Sequence, residues 1–187
     1  VVGGIGLIGA RLYDGDRAFD PGTMERMGEL APVDRAAPAF HLLDQRGDSL
    51  SLERFRGRPL FVSFAFAHCQ TVCPTVVREI LAVQASAQPR PAVVIITLDP
   101  WRDNPARLAA ISAAWEMGED AFLLSGDVAS VERTLDSWQV QRTRDDATGE
   151  IQHQALVHLI DSAGVVAFTI GGYRPDLERA LEALRLR

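Results

Sequence analysis

The chain has 187 residues, of which 47% are hydrophobic and 24% are charged, and its formal net charge is −6. This length is enough for one globular domain with a full core. An acidic chain without a basic stripe is not expected to bind nucleic acid. Two cysteines do not make a disulfide-dense scaffold, and their number alone does not indicate the redox compartment.

The N-terminal region differs from the rest of the chain. Its first ten residues carry no charge and are followed by Arg11. A bilayer span takes about 20 apolar residues, so we interpret residues 1–12 as the remnant of a membrane anchor or signal segment, against the alternative of a surface strand or an unstructured terminus. Residues 13–37 are predicted to form a tether, with one helical turn near residues 24–30.

Residues 38–187 are predicted to form the folded domain, which begins with a β-hairpin at residues 39–50 and a short helix at 51–55. Apolar runs without alternation suit strands that are covered on both faces, as in a parallel sheet. Such strands are predicted at residues 60–67, 92–98 and 121–124. A later hairpin is predicted from two strands at residues 151–160 and 165–170.

Helices are predicted after each of the three apolar strands and at the end of the chain. Their expected ranges are 74–87, 105–115, 127–138 and 175–186. Asp103 or Asn104 is the expected cap of the second, and Asp127 of the third. Strands that alternate with helices and finish in a hairpin indicate an α/β fold. We expect a thioredoxin-like mixed sheet with flanking helices, an N-terminal hairpin extension, and a C-terminal hairpin plus helix.

Both cysteines, Cys69 and Cys73, lie between the strand at 60–67 and the helix that opens at Pro74. A helix N-terminus favours a thiolate over a thiol, and ligands in α/β sheets collect at the carboxyl ends of strands. If helical geometry extends back over both cysteines, their sulfur atoms lie on one face and can converge on one atom. An inert disulfide and two buried thiols are the alternatives.

Five sequence motifs then agree in type and order with one family. They are Leu42-Leu-Asp-Gln-Arg-Gly47, Phe55-Arg-Gly-Arg-Pro59, His68-Cys-x-x-x-Cys-Pro74, Asp99-Pro-x-Arg-Asp-x-Pro105, and His153 followed by Leu159-Ile-Asp161. From about residue 40 to the last helix, the chain resembles the Sco/SenC/PrrC proteins, thioredoxin-fold copper-binding assembly factors for cytochrome c oxidase. It departs from them at Gln70, where proline is usual, and at His158, where an aromatic residue is common.

The resemblance implies that Cys69, Cys73 and His153 hold a copper ion, Cu(I) or Cu(II). Thiolates suit soft Cu(I), and imidazole is accepted by both valences. A fourth ligand for Cu(II) could be water, Asp99 or His68, and the sequence does not choose among them. The spacing of the histidines argues against a Cys₂His₂ zinc site. His41 and His158 are expected to be ordinary residues.

The resemblance also implies a function: delivery of copper to the binuclear copper centre of an oxidase subunit. The alternative is a thiol-disulfide oxidoreductase that uses Cys69 and Cys73 as a redox pair to reduce the cysteines of that centre. Expected partners are the copper-site subunit and either another copper chaperone or a thioredoxin-like reductase. The expected location is the periplasmic face of a bacterial inner membrane. A peroxidase is disfavoured, because Gln70 stands where peroxiredoxins have threonine.

Overall fold

The computed structural model describes residues 30–69 and 73–187. The predicted anchor, most of the tether with its helical turn, and Gln70 lie outside these residues. Across the described ranges, no helix combines the length and the apolar character that a membrane span requires.

In the described part of the chain, ten strands and four α-helices follow one another. The strands are β1 (Pro32–Ala36), β2 (His41–Leu43), β3 (Ser49–Ser51), β4 (Leu60–Ala65), β5 (Ala92–Thr97), β6 (Ala121–Leu124), β7 (Arg142–Arg144), β8 (Ile151–His153), β9 (Leu156–Ile160) and β10 (Val165–Gly171). The helices are α1 (Cys73–Ser86), α2 (Leu108–Ala114), α3 (Val128–Ser137) and α4 (Arg174–Arg185).

The main sheet has six strands in the order β1-β10-β9-β4-β5-β6. Strands β4, β5 and β6 are parallel, whereas β9, β10 and β1 add antiparallel pairs. Every residue of β4 and β5 is buried, as expected for central strands covered on both faces. This mixed sheet with flanking helices confirms the predicted α/β, thioredoxin-like fold class.

The helices pack against this sheet and cover its apolar strands. Helix α1 packs against α4, β4 and β5, and α4 also packs against β10. Helix α3 packs against strand β2, and Asp127 caps it by accepting a hydrogen bond from Ser130 N at 2.9 Å. The loop that contains Cys69 follows the carboxyl end of β4, and the loop that contains Asp99 follows the carboxyl end of β5.

Two predicted segments differ in the structure. Residues 32–36, predicted as part of the tether, form edge strand β1, paired antiparallel with β10. The sequence of β1 has no apolar run, so its strand conformation comes from hydrogen bonding to β10 and could not be predicted from the local pattern of residues. The helix predicted at 105–115 begins instead with a 3-10 turn at Pro105–Arg107, and Asn104 at its start makes no capping hydrogen bond with its side chain.

The strand predicted over residues 151–160 is two strands. Its first part, β8, pairs with β7 in a separate two-stranded sheet, and its second part, β9, joins the main sheet between β4 and β10. A turn separates them, with Leu156 N bonded to Gln154 O at 2.9 Å. The break separates a mostly polar strand, β8, from an almost fully buried one, β9.

Candidate metal centre

The cysteines lie where strand β4 gives way to helix α1. Cys69 belongs to a turn in which its N–H donates to Phe66 O at 3.2 Å, and Cys73 is the first residue of α1. Both side chains are buried, and the structure holds them as thiols. Cys73 N also donates to Cys69 Sγ at 3.5 Å, so the two cysteines are in direct contact across the turn.

His153, at the end of β8, meets Cys73 although the two are 80 positions apart. Its Nε2 lies 3.3 Å from Cys73 Sγ, and its Nδ1 lies 3.0 Å from Gln154 O. A carbonyl oxygen can only accept, so Nδ1 carries the ring proton and Nε2 keeps its lone pair toward the thiol. Metal-binding histidines are commonly held in this way, by a carbonyl bonded to the far ring nitrogen.

Burial sets the protonation of this pair. Loss of solvation and, to a smaller extent, the adjacent Cys69 thiol together raise the pKa of Cys73 to about 12. Burial also lowers the pKa of His153, which keeps its imidazole neutral near pH 7. A neutral imidazole is ready to bind a metal, whereas the Cys73 thiol must lose its proton as the metal enters.

The donor types fit a soft ion, since two thiols and one imidazole are the set that suits Cu(I). The contact of 3.3 Å between Cys73 Sγ and His153 Nε2 is short enough for one ion to touch both atoms, given metal–sulfur and metal–nitrogen distances of about 2.3 and about 2.0 Å. Within the described ranges, no three His, Cys, Asp or Glu side chains are already arranged so that together they could hold a metal ion. Binding by all three residues therefore stays a prediction.

Asp103 holds the cysteine turn, which corrects its predicted capping role. Its Oδ2 accepts from Ala67 N and from Thr97 Oγ1, each at 2.9 Å. The side chain is buried, and burial raises the pKa of its carboxyl. This carboxylate ties the segment before Cys69 to the end of β5.

Among the described residues, the carboxylate of Asp99 is hydrogen-bonded to two arginines. Its Oδ2 accepts from Arg102 Nε, and its Oδ1 accepts from Arg144 Nη1 at 2.9 Å. Arg102 also donates to Gly149 O in the turn between β7 and β8. Asp99 thus fastens the hairpin that carries His153 to the end of β5. Both carboxylate oxygens thus accept hydrogen bonds from arginines, and a role of Asp99 as fourth ligand stays a prediction.

The other histidines lie in different surroundings. His68 is exposed in the cysteine turn, and His41 is exposed with Nε2 2.8 Å from Ser49 Oγ. His158 is buried in the main sheet, where its Nδ1 lies 2.8 Å from Thr169 Oγ1. Sequence reasoning assigned no role to Arg102 or Arg144. Arg102 lies in the Asp99-Pro-x-Arg-Asp-x-Pro105 motif, three residues from its partner Asp99, whereas no local signal marks Arg144, whose partner Asp99 is 45 positions away.

Three comparisons place the chain among known proteins. A protein of Stutzerimonas stutzeri named "Putative copper-binding protein" is 34% identical over 109 residues, which cover 56% of this chain and 52% of that protein. The structure of Bradyrhizobium japonicum ScoI with copper bound has 26% identity and a TM-score of 0.67, and covers 81% of this chain and 98% of that one.

A SCO1/SenC family lipoprotein from Bacillus anthracis shares the fold at 22% identity, with a TM-score of 0.72 over 82% of this chain and 97% of that one. The present chain spans only about half the length of the Stutzerimonas relative. The SCO1/SenC family model matches residues 28–186, almost the whole described region. The chain therefore belongs to the SCO1/SenC family.

Proposed function

We propose that this protein binds copper through Cys69, Cys73 and His153 and delivers it to the binuclear copper centre of a cytochrome c oxidase. Family membership and the copper-bound Bradyrhizobium relative support this proposal. The observation that carries it is the 3.3 Å approach of His153 Nε2 to Cys73 Sγ. Only the tertiary fold brings these two donor atoms together, and both belong to the ligand set expected for copper.

The contacts of the site suit a cargo that must be taken up and released. The main-chain carbonyl of Gln154 orients the imidazole, so a ligand nitrogen is in place before the metal arrives. The site offers three protein donors, which leaves room for a thiolate of an acceptor protein to enter. Transfer then proceeds by ligand exchange, one protein donor being replaced at a time.

We also propose that the protein works at the periplasmic face of a bacterial inner membrane and is anchored by its N-terminal segment. The apolar composition of residues 1–10 supports the anchor, and the proposed oxidase partner supports the compartment. The gene sequence upstream of Val1 tests the anchor. We expect the apolar run to continue upstream of Val1, and a charged upstream sequence would contradict the proposed anchor.

Copper(I) binding to the fully reduced protein, under anaerobic conditions and in competition with a chelator, tests the metal site. We expect one-to-one binding that weakens at least tenfold in His153→Ala, since one of three donors is lost. His41→Ala is the matched control, because His41 is exposed and bonded to Ser49, and it should bind like the parent. Binding that does not depend on His153 would contradict the proposed site.

A thiol-disulfide oxidoreductase is the second candidate, favoured by the contact between Cys73 N and Cys69 Sγ. The Cys69 thiolate would attack a partner disulfide and release one partner thiolate. Cys73 would then resolve the mixed disulfide, leaving a Cys69–Cys73 disulfide and two reduced partner thiols. The pKa of Cys73, raised to about 12 by burial, disfavours it as the attacking group.

Exchange with oxidised glutathione separates the two candidates. Rapid exchange in both the parent and His153→Ala, together with weak copper binding, would favour the oxidoreductase. Slow exchange together with copper binding that depends on His153 would favour metal delivery.

A further inference from the structure

Three large hydrophobic side chains are exposed in the described ranges, and two of them arise from loops beside the metal centre. They are Trp101, Tyr173 and Leu186, which are 50%, 78% and 81% exposed. Single exposed hydrophobic residues are common on protein surfaces and by themselves indicate nothing. What distinguishes Trp101 and Tyr173 is where their loops leave the main sheet.

The loops of Trp101 and Tyr173 lie at the same edge of the main sheet as the cysteine turn. Strands β4 and β5 are parallel, and β10 runs in the same direction, because β9 pairs antiparallel with both β4 and β10. The segments that follow these three strands contain Cys69, Trp101 and Tyr173. Strands β5 and β10 are three strand spacings apart, with β4 between them, a span of about 14 Å.

The turn that carries Trp101 is tied to both loops of the metal centre. The Arg144 guanidinium of the β7–β8 hairpin lies over the indole ring, with its Cζ 4.8 Å from the ring centroid, and this cation is itself bonded to Asp99. Asp103 joins the same turn to the cysteine turn by accepting a hydrogen bond from Ala67 N at 2.9 Å. The indole is therefore partly ordered in advance, which lowers the entropy that is lost when another protein covers it.

The backbone of Tyr173 is fixed at the start of α4. Its carbonyl oxygen accepts hydrogen bonds from Asp176 N and Leu177 N, each at 3.1 Å. The preceding residue, Gly172, lies so close to α1 that an added Cβ would be 2.6 Å from the Val76 side chain. Val76 belongs to the first turn of α1, the helix that begins at the second cysteine. Tyr173 thus presents an exposed ring from a fixed position beside that helix.

Transfer by ligand exchange requires the acceptor protein to reach the ion itself. An incoming thiolate sulfur must come within about 2.3 Å of the metal, so the acceptor covers the protein surface around the site. A standard interface buries about 800 Å² on each partner, a patch about 30 Å across. The span of about 14 Å between β5 and β10 fits within such a patch. An acceptor centred on the site would therefore cover both loops.

We propose that Trp101 and Tyr173 are the aromatic anchors with which this chain docks the copper-site subunit of the oxidase. Tryptophan and tyrosine are enriched among the few residues that carry most of the binding energy at protein interfaces. The inference rests on the proposed function, because its partner is the acceptor of the copper. It goes further in assigning the docking to two residues that are not copper ligands.

Calorimetric titration of the full chain with the detergent-solubilised copper-site subunit of the oxidase from the same organism tests the proposal. Both proteins are free of metal and have reduced thiols. We expect Trp101→Ala and Tyr173→Ala each to weaken binding at least tenfold, since each removes the ring of an anchor. Tyr173→Phe, which keeps the ring, should bind like the parent.

Leu186→Ala is the matched control, because Leu186 is as exposed as Tyr173 but follows the far end of α4. That helix has 12 residues and is about 18 Å long. The chain next to Leu186 lies at the other end of α1, where Arg185 donates to Gln88 O. This variant should bind the subunit like the parent.

Copper(I) affinity, measured in competition with a chelator, separates docking from damage to the metal site. It should equal that of the parent in both alanine variants, and a loss in Trp101→Ala would overturn the docking role of that residue. Unchanged binding of the subunit in either variant would overturn the role of the residue replaced, while copper transfer by the parent would leave the proposed function standing. A parent that neither binds the subunit nor passes copper to it would overturn both.

Discussion

Replacement of Asp99 by Asn tests whether this carboxylate positions His153. Asp99 is fully buried, and its two oxygens accept hydrogen bonds from Arg102 and Arg144. The β7–β8 hairpin pairs only with itself among the described strands, so its attachment to the domain depends on such contacts. Asn keeps the shape of Asp but removes its charge and one acceptor.

The size of the effect follows from the exposure of the two arginines. Their side chains are 25% and 32% exposed, so both cations can regain water, and the cost stays below the 3–5 kcal/mol typical of a broken buried pair. A hydrogen bond to a charged group stabilises by about 1.5–3 kcal/mol, against about 1 kcal/mol for a neutral one. Two weakened bonds therefore cost about 2 kcal/mol.

Native-state hydrogen exchange measures this cost locally. If the hairpin opens as a unit, about 2 kcal/mol corresponds to about 30-fold faster exchange of the paired amides of β7 and β8. The amides of β4 and β5 should keep the parent rates. Asp176→Asn is the matched control, since the exposed Asp176–Arg179 pair on α4 should contribute almost nothing.

Two outcomes would refute the reasoning. Unchanged exchange of the hairpin amides in Asp99→Asn would mean that the arginine contacts do not hold it. Equal acceleration in β4 and β5 would mean that Asp99 supports global stability and does not position the hairpin.

Two further changes test the buried histidine and the hairpin turn. Burial lowers the pKa of His158 to about 4, so only the unfolded chain binds this proton between about pH 6.5 and 4, and stability falls as pH decreases through that window. Urea unfolding should show the parent losing about 2–3 kcal/mol more than His158→Phe over this range; equal losses would contradict the assignment. Gly149→Ala should cost about 1–3 kcal/mol in thermal unfolding, because its φ is +71° and a Cβ would lie 2.8 Å from Arg102 Nη1. Gly171→Ala, with open space around it, should cost less, and an equal cost would count against this account.

The sequence predicts the elements whose signals are local. The apolar runs of β4 and β5, the cap at Asp127 and the turn at Gly47 are each encoded within a few residues. The same holds for the Cys-x-x-x-Cys turn, whose spacing marks it for chemistry. His153 was selected through family resemblance, because a single histidine carries no local signal of metal binding.

What the sequence determined by itself is the class of the fold, together with a set of candidate donor residues. Only the tertiary structure decided that β8 leaves the main sheet, that His153 reaches Cys73, and that Asp99 and Asp103 brace the two loops of the site. The physical reason is sequence distance. These hydrogen bonds join residues 36 to 80 positions apart. Their energies depend on the burial of the bonded groups and on the direction of each bond, and no local pattern of residues encodes either.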